Sequence, residues 1–546
     1  MDAPLVTPAT PFQLADWVVL AAYFAVLVVT GYLVSRRPAT ADAYFVGERQ
    51  MPPWAVALSV LATALSAATF IGGPQQSYAG DLTYLSATIG AILAVLIVGW
   101  FFIPVFYRYQ VVTVYELLGR RFGPGVKMAA SWTFVIGRVF ANGSRLFIAA
   151  APAALLLFGD TGIDHPHHLY IAIAVVALVG IVYTLVGGIA SIIWTDVIQI
   201  IVLIGATLAA AGVLLHRIPI PVTEIVSELA STRVGDHSKL AVLSFDLSPG
   251  TTFTVFTAIT GWVLFNLAAY GTDQDLAQRM LTCKDAVRGG RSALFAILMG
   301  IPVTMLFMAI GLLLYLYYQR PDLMGAAAPT YPTPKAKDVF LSFIHHEMPQ
   351  GLRGLMMAGL FSVAFASLLS ALNAMASAFV NDFYRPLLKN RPDRHYLLIG
   401  RLAVVGWGIV LALFACACVA WWKHNNETLI EFALGVMTFA YSGLLAVFLT
   451  TLFTRRGTPF TAISSLVMGF AMTAFLQPAI WYNFTCWILP DLSTHQGIHR
   501  LVLASPWRLL IATAVSLAVC VSMKDPRGGS MEEDRDPHLQ PQPAPV

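Results

Sequence analysis

The stretch Trp54–Tyr78 is apolar at both ends and chemically active in its middle, which reads Thr63-Ala64-Leu65-Ser66-Ala67-Ala68-Thr69-Phe70-Ile71-Gly72-Gly73-Pro74. A span that only anchors keeps Leu, Ile and Val through the bilayer centre. Hydroxyl, glycine and proline residues at that depth predict a broken helix. Hydrocarbon cannot hydrogen-bond the backbone groups a break releases, so the segment must line a wet cavity or lie buried in protein. In secondary carriers a helix broken at mid-membrane marks the place of solute and ion. Arg145 makes the same point by charge. It sits near the middle of an apolar run from Val126 to Phe158, with Asn142 one turn before it. A guanidinium there costs about 2.5–3.5 kcal/mol even on lenient insertion scales. Its partner is an acid, a set of backbone carbonyls, or a bound anion. A solute carboxylate matches arginine's planar two-point fork; a structural arginine bonded to carbonyls of the broken helix is the other reading. Arg138, nearer the basic end of the same run, reads as a snorkelling or gating residue.

Other polar residues within apolar runs are candidates of lower information content. Thr63, Thr69, Thr88, Asn266 and Tyr441 line a small pocket if they converge, and are interhelix packing residues if they do not. Asp196 lies a short way into its run from the basic end. An intramembrane carboxylate is a functional hypothesis by default; it serves as a gate or cap paired with an arginine, as part of a second cation site, or as a proton carrier. Ser367 and Ser370 are either packing residues that let helices approach or oxygen ligands.

The elements that must position these groups follow from hydropathy. The chain has 546 residues, 58% hydrophobic and 11% charged, a profile of integral membrane proteins. With roughly 20 apolar residues needed per crossing, about thirteen spans are predicted. Lys and Arg concentrate in alternate connections: Arg36, Arg37, Arg120, Arg121, Lys284, Arg288, Lys389, Arg391, Arg455 and Arg456 on one side, against Arg217, Arg233, Lys239 and Arg320 on the other. The first side is read as cytoplasmic. An odd number of spans then places the N-terminus outside and the C-terminus in the cytoplasm, in the plasma (cell inner) membrane. The net charge of +4 is accounted for by these connections, so no nucleic-acid partner is implied. Residues 525–546 read as a disordered cytoplasmic tail and 1–524 as a single transmembrane domain. There is no nucleotide-binding loop, no paired carboxylates at catalytic spacing and no metal-type cysteine spacing, so neither an ATP-driven pump nor an enzyme is expected.

Several segments together carry a resemblance: Gly187-Gly188-Ile189-Ala190-Ser191-Ile192-Ile193-Trp194-Thr195-Asp196-Val197-Ile198-Gln199, Thr272-Asp273-Gln274-Asp275-Leu276-Ala277-Gln278-Arg279, Gly351-Leu352-Arg353-Gly354-Leu355, and Ser367-Leu368-Leu369-Ser370-Ala371-Leu372-Asn373. In this order the chain resembles the solute:sodium symporter family. The resemblance implies an all-α membrane fold, LeuT-like, with an inverted five-helix repeat: spans within 54–215 form one half and those within 251–453 the other, with peripheral spans at 15–35, 458–481 and 505–523. It implies one sodium ion held by the carbonyls of Ala62, Leu65 and Val363 and by positions Ala366 and Ser367. Ala366 replaces a serine common in relatives, which removes one hydroxyl ligand. At positions where sugar-carrying relatives hold hydroxyls this chain has Ala64, Thr69, Thr88 and Leu298, which disfavours a polyol. The expectation is sodium-coupled symport of a small organic anion by alternating access. Proton coupling, a neutral solute such as a sugar or amino acid, and a transporter-like sensor are the alternatives. No organic cofactor is expected, and one copy of the chain suffices.

Overall fold

The computed structural model describes residues 12–35, 41–160, 165–186, 188–329, 333–336, 338–422, 429–478, 480, 481, 484 and 503–524. The expected tail, 525–546, lies outside the described residues. Among those described, eight helices are long and apolar enough to cross a membrane, or up to ten when each of two sharply bent pairs counts as one span. They are α1 (Leu14–Ser35), the pair α2 (Pro53–Ala64) and α3 (Ala67–Ala79), and α4 (Ala87–Ile97), which a π turn prolongs to Arg108. Then follow α5 (Pro124–Phe158), α6 (Pro166–Val186) and α7 (Ile189–Arg217). The second bent pair is α8 (Gly261–Gly271) and α9 (Gln274–Met280), followed by α10 (Ala286–Gln319), α11 (Leu352–Ala378) and α12 (Asp393–Trp422). The last helices are α13 (Leu429–Phe453), α14 (Pro459–Phe475) and α15 (Ser505–Val521).

The first break falls at Leu65 and Ser66, whose backbones are extended (ψ 153 and 169), and α2 and α3 meet at 60°. The Leu65 N–H closes the last turn on Leu61 O, while Thr69 and Phe70 both donate to Ser66 O. The carbonyls of Ala62 and Leu65 therefore lie outside the helical ladder, at the negative end of α2. Gly72, Gly73 and Pro74 stay helical. Pro74 has no N–H for the ladder, and α10 covers its own carbonyl so closely that a Cβ on Gly311 would meet Pro74 O at 2.1 Å. Ser77 Oγ donates to Met308 O at 2.7 Å across the same contact. The second break, of 62°, falls at Thr272 and Asp273, with Asp273 (ψ 119) capping α9 by accepting from Asp275 N.

Burial follows position in the assembly. α11 packs on α7, α1, α2, α5, α9 and α12, and 94% of its most apolar window is buried inside the protein, against 22% for α1. A helix enclosed on all sides makes small and hydroxyl residues useful for close approach, as in Gly359, where a Cβ would meet Ala206 Cβ at 2.7 Å. Between α7 and α8 the chain forms a short hairpin, β1 (Arg233–Val234) and β2 (His237–Ser238). The hairpin delivers Lys239 to the end of α3, where Nζ donates to Tyr78 O at 2.9 Å and Gly80 O at 2.8 Å, over the Tyr315 ring. A cation on the orphan carbonyls of a helix C-terminus satisfies them and meets the helix dipole.

Candidate functional site

The first break and the helices flanking the second line one cavity of about 200 Å³. Thr63, Ala64, Ser66 and Thr69 reach it from the first break, Thr88 from α4, Arg138 and Arg145 from α5, and Asn266, Ala269 and Tyr270 from α8. Thr304 on α10 and Tyr441 on α13 complete the polar lining, and Tyr84, Trp262 and Phe265 supply aromatic walls. Thr63, Thr69, Thr88, Arg145, Asn266 and Tyr441, scattered over the sequence, are thus brought to one space. Asn142 is not: it is buried, and neither amide atom has a hydrogen-bond partner among the described residues. Residues three and four apart share a helical face, so Asn142 lies between Arg138 and Arg145 on α5, and its short, buried side chain is not among the lining residues.

The hydroxyl donors of this cavity are mostly engaged. Thr63 Oγ1 donates to Ser59 O at 2.8 Å, Thr88 Oγ1 to Leu85 O at 2.6 Å, and Tyr441 OH to Asp273 Oδ2 at 3.0 Å. Asn266 Nδ2 donates to Trp262 O at 2.8 Å. The engaged hydroxyls still offer acceptor lone pairs, and Thr304 and the guanidiniums of Arg138 and Arg145 also face the cavity.

Of the two roles expected for Arg138, snorkelling does not fit. The residue is 3% exposed and tied to two carboxylates. Its Nε donates to Asp273 Oδ1 at 3.0 Å, one terminal nitrogen pairs with Asp273 Oδ2, and the other stands 2.9 Å from Asp275 Oδ2. In the sequence Asp273 and Asp275 stand in the Thr272–Arg279 motif, outside any continuous apolar run. The 62° break is what brings them to membrane depth.

The pairing continues beyond the cavity. Arg279 donates to Asp275 Oδ1 and Asp196 Oδ2, both at 3.1 Å, and to Ser59 Oγ at 2.8 Å. Ser59 donates to Asp196 Oδ2 at 2.5 Å, and Ser370 donates to Asp275 Oδ1. Asp196 therefore has an arginine partner, one of the roles open to it on sequence. Ser370 faces this network. Four helices (α2, α7, α9 and α11) are joined by it, with every charged member fully buried.

The expected ion ligands lie at the end of α2 and on α11, two helices that pack on each other. Ser367, 2% exposed, has its Oγ 3.2 Å from Val363 O and 3.1 Å from Ala364 O. Ala62 and Leu65 contribute carbonyls outside the ladder, and Ala366 has no side-chain oxygen. An all-oxygen set of carbonyls and one hydroxyl suits a hard monovalent cation and offers nothing to a soft metal. No cluster of three or more His, Cys, Asp or Glu able to hold a metal is present among the described residues.

Two broken helices that both contribute residues to one cavity, within a bundle of membrane-length helices, define a multi-pass membrane carrier. The model of the sodium:solute symporter family matches residues 44–469, and the chain belongs to that family. It is 29% identical to the sodium/sialic acid symporter of Proteus mirabilis over 84% of this chain and 88% of that one. It is also 29% identical to sodium-coupled monocarboxylate transporter 2 of Danio rerio, over 86% and 73%. A solved Na+-coupled sialic acid symporter, in a substrate-bound outward-open state, superposes with a TM-score of 0.75 at 24% identity, covering 94% of this chain and 97% of that one. The fold is that of the sodium symporters, and the protein performs sodium-coupled symport.

Proposed function

We propose that the solute is a small organic carboxylate, held in the cavity by Arg145, and that a single sodium ion binds between the end of α2 and Ser367. The observation that carries this reading is the placement of Arg145 on the wall of a cavity whose lining, among the described residues, includes no carboxylate. A carboxylate needs donors, which the guanidinium fork supplies in pairs. Hydroxyl or amide N–H groups elsewhere on the solute meet the oxygens of Thr63, Thr88 and Asn266. Relatives named as carriers of sialic acid and of monocarboxylates support an anionic solute.

Coupling follows from position. The ion ligands come from the break itself and from α11, and Thr63, between Ala62 and Leu65, lines the cavity. Ion binding fixes the carbonyl end of α2 against α11 and orders the cavity edge, so each ligand raises the other's affinity. The inward sodium gradient then drives uptake across a plasma membrane, with the basic connections cytoplasmic. The two bent pairs stand at the start of two five-helix halves, 54–215 and 251–453, related by inversion. One copy of the chain holds the complete cavity and suffices for transport.

The test is uptake of radiolabelled organic acids into proteoliposomes. Arg145→Ala abolishes sodium-driven uptake of the acid while the protein remains monodisperse, and uptake by Arg145→Ala equal to wild type removes the carboxylate assignment. Replacing sodium by choline at fixed pH stops transport; uptake sustained by a pH gradient alone would assign the coupling to protons.

A further inference from the structure

Beneath the solute cavity lies a second, much smaller one, of about 10 Å³, which is room for about one water. It shares Arg138 and Tyr441 with the large cavity and continues to Phe134, Gly137, Ala440 and Leu444. Phe134 is one turn nearer than Arg138 to Lys127, and Leu444 is nearer than Tyr441 to Arg455, so the small cavity lies on the side of the basic connections. Its wall is a close contact between α5 and α13: a Cβ on Gly137 would meet Ala440 Cβ at 2.2 Å. What separates the two spaces is a layer of three side chains. Arg138 is paired with both oxygens of Asp273, and Tyr441 OH donates to Asp273 Oδ2 at 3.0 Å.

We propose that Arg138, Asp273 and Tyr441 form the inner closure of the solute cavity, and that the solute leaves toward the cytoplasm between α5 and α13, through the space the small cavity begins. Asp273 is the residue of the second break and the cap of α9. Displacement of that break together with α9, which carries Asp275 as well, withdraws both carboxylates from Arg138 and the acceptor of Tyr441, and so releases α5 and α13 together. A buried ion pair is a suitable bolt: with both partners in place it is stable, and either charge alone is costly in a dry interior. Opening therefore requires water to enter from below as the pair separates. The inference takes the large cavity to be the solute's, as proposed above, but its test needs no solute.

The experiment introduces Leu444→Cys, a buried position of the small cavity, and measures labelling by a charged, membrane-impermeant maleimide in inside-out vesicles in sodium. Labelling of the parent chain, which carries its own cysteines, is subtracted. Tyr441→Phe, which deletes one hydroxyl and keeps the ring, raises the Leu444→Cys labelling rate on the order of fivefold, the population shift that one hydrogen bond supplies. Asp273→Asn raises it further, and Ala440→Gly, which relieves the α5–α13 contact without touching the layer, raises it less than Asp273→Asn. If Tyr441→Phe and Asp273→Asn, each still monodisperse, label at the rate of Leu444→Cys alone, the layer is not the closure. If Leu444→Cys reacts faster from the opposite face in right-side-out vesicles, the exit does not run there. Neither result touches the role of Arg145, which the uptake assay decides.

Discussion

Arg138 and Arg145 stand two turns apart on one helix and line one cavity, yet they differ in surroundings. Arg138 is paired with Asp273 and Asp275, so a second guanidinium is tolerated beside the proposed anion site. The same argument applies to Arg279, held by Asp196, Asp275 and Ser59. Removing one member of a fully buried pair strands the other: Arg279→Gln should lower stability by about 3–5 kcal/mol, read as a large fall in melting temperature of detergent-purified protein. A fall no greater than that of surface variants would show that Asp196 finds another partner. At the ion position the sole side-chain hydroxyl in the proposed set is Ser367. Ser367→Ala should raise the half-saturating sodium concentration about tenfold, equivalent to ~1.4 kcal/mol, with Ser367→Thr closer to wild type. An unchanged sodium dependence would place the ion elsewhere.

At the scale of elements, the two breaks do different local work. The first releases carbonyls, through extended Leu65 and Ser66; the second delivers carboxylates, through Asp273 and Asp275. The glycines of the first broken pair are packing residues rather than joints in this conformation: a Cβ on Gly73 would touch Phe307 Cβ at 3.1 Å. The outer end of α3 is held by Lys239, whose burial pushes its ammonium down to about 8 from 10.5; Asp81 is the acid that opposes the shift. Lys239→Met leaves the carbonyls of Tyr78 and Gly80 without a donor, and should destabilise the protein by about 1–3 kcal/mol and speed proteolysis of the hairpin loop. The pH dependence has a definite sign. The folded-state pKa is below the unfolded one, so between about pH 8 and 10.5 the unfolded chain holds the extra proton and wild-type stability gains with rising pH. The gap in melting temperature between wild type and Lys239→Met should widen from pH 8 to pH 10; a gap independent of pH would mean that the lysine is not perturbed.

Taken whole, the molecule is a sodium-coupled symporter, and in the proposed arrangement the two ligands are coupled reciprocally through one broken helix. Sodium should raise solute affinity by the same factor as solute raises sodium affinity, measured by equilibrium binding of each at saturating and zero levels of the other. Solute binding indifferent to sodium would separate the two positions. Much of this was legible in the chain itself. Apolar run lengths marked the helices, as for the run 166–186 and helix Pro166–Val186, because the thickness of a bilayer demands a length that no soluble pattern imitates. Hydroxyls within the Trp54–Tyr78 run marked the break, and the charge of Arg145 marked the cavity, because polar groups in hydrocarbon need a reason that can be read one residue at a time. Partners cannot be read that way. That Arg138 meets Asp273, 135 residues away, and that Ser370 serves Asp275 depend on how the helices pack and on a bend between them. Single-residue costs are properties of sequence; the distances that settle them exist only once the helices have packed.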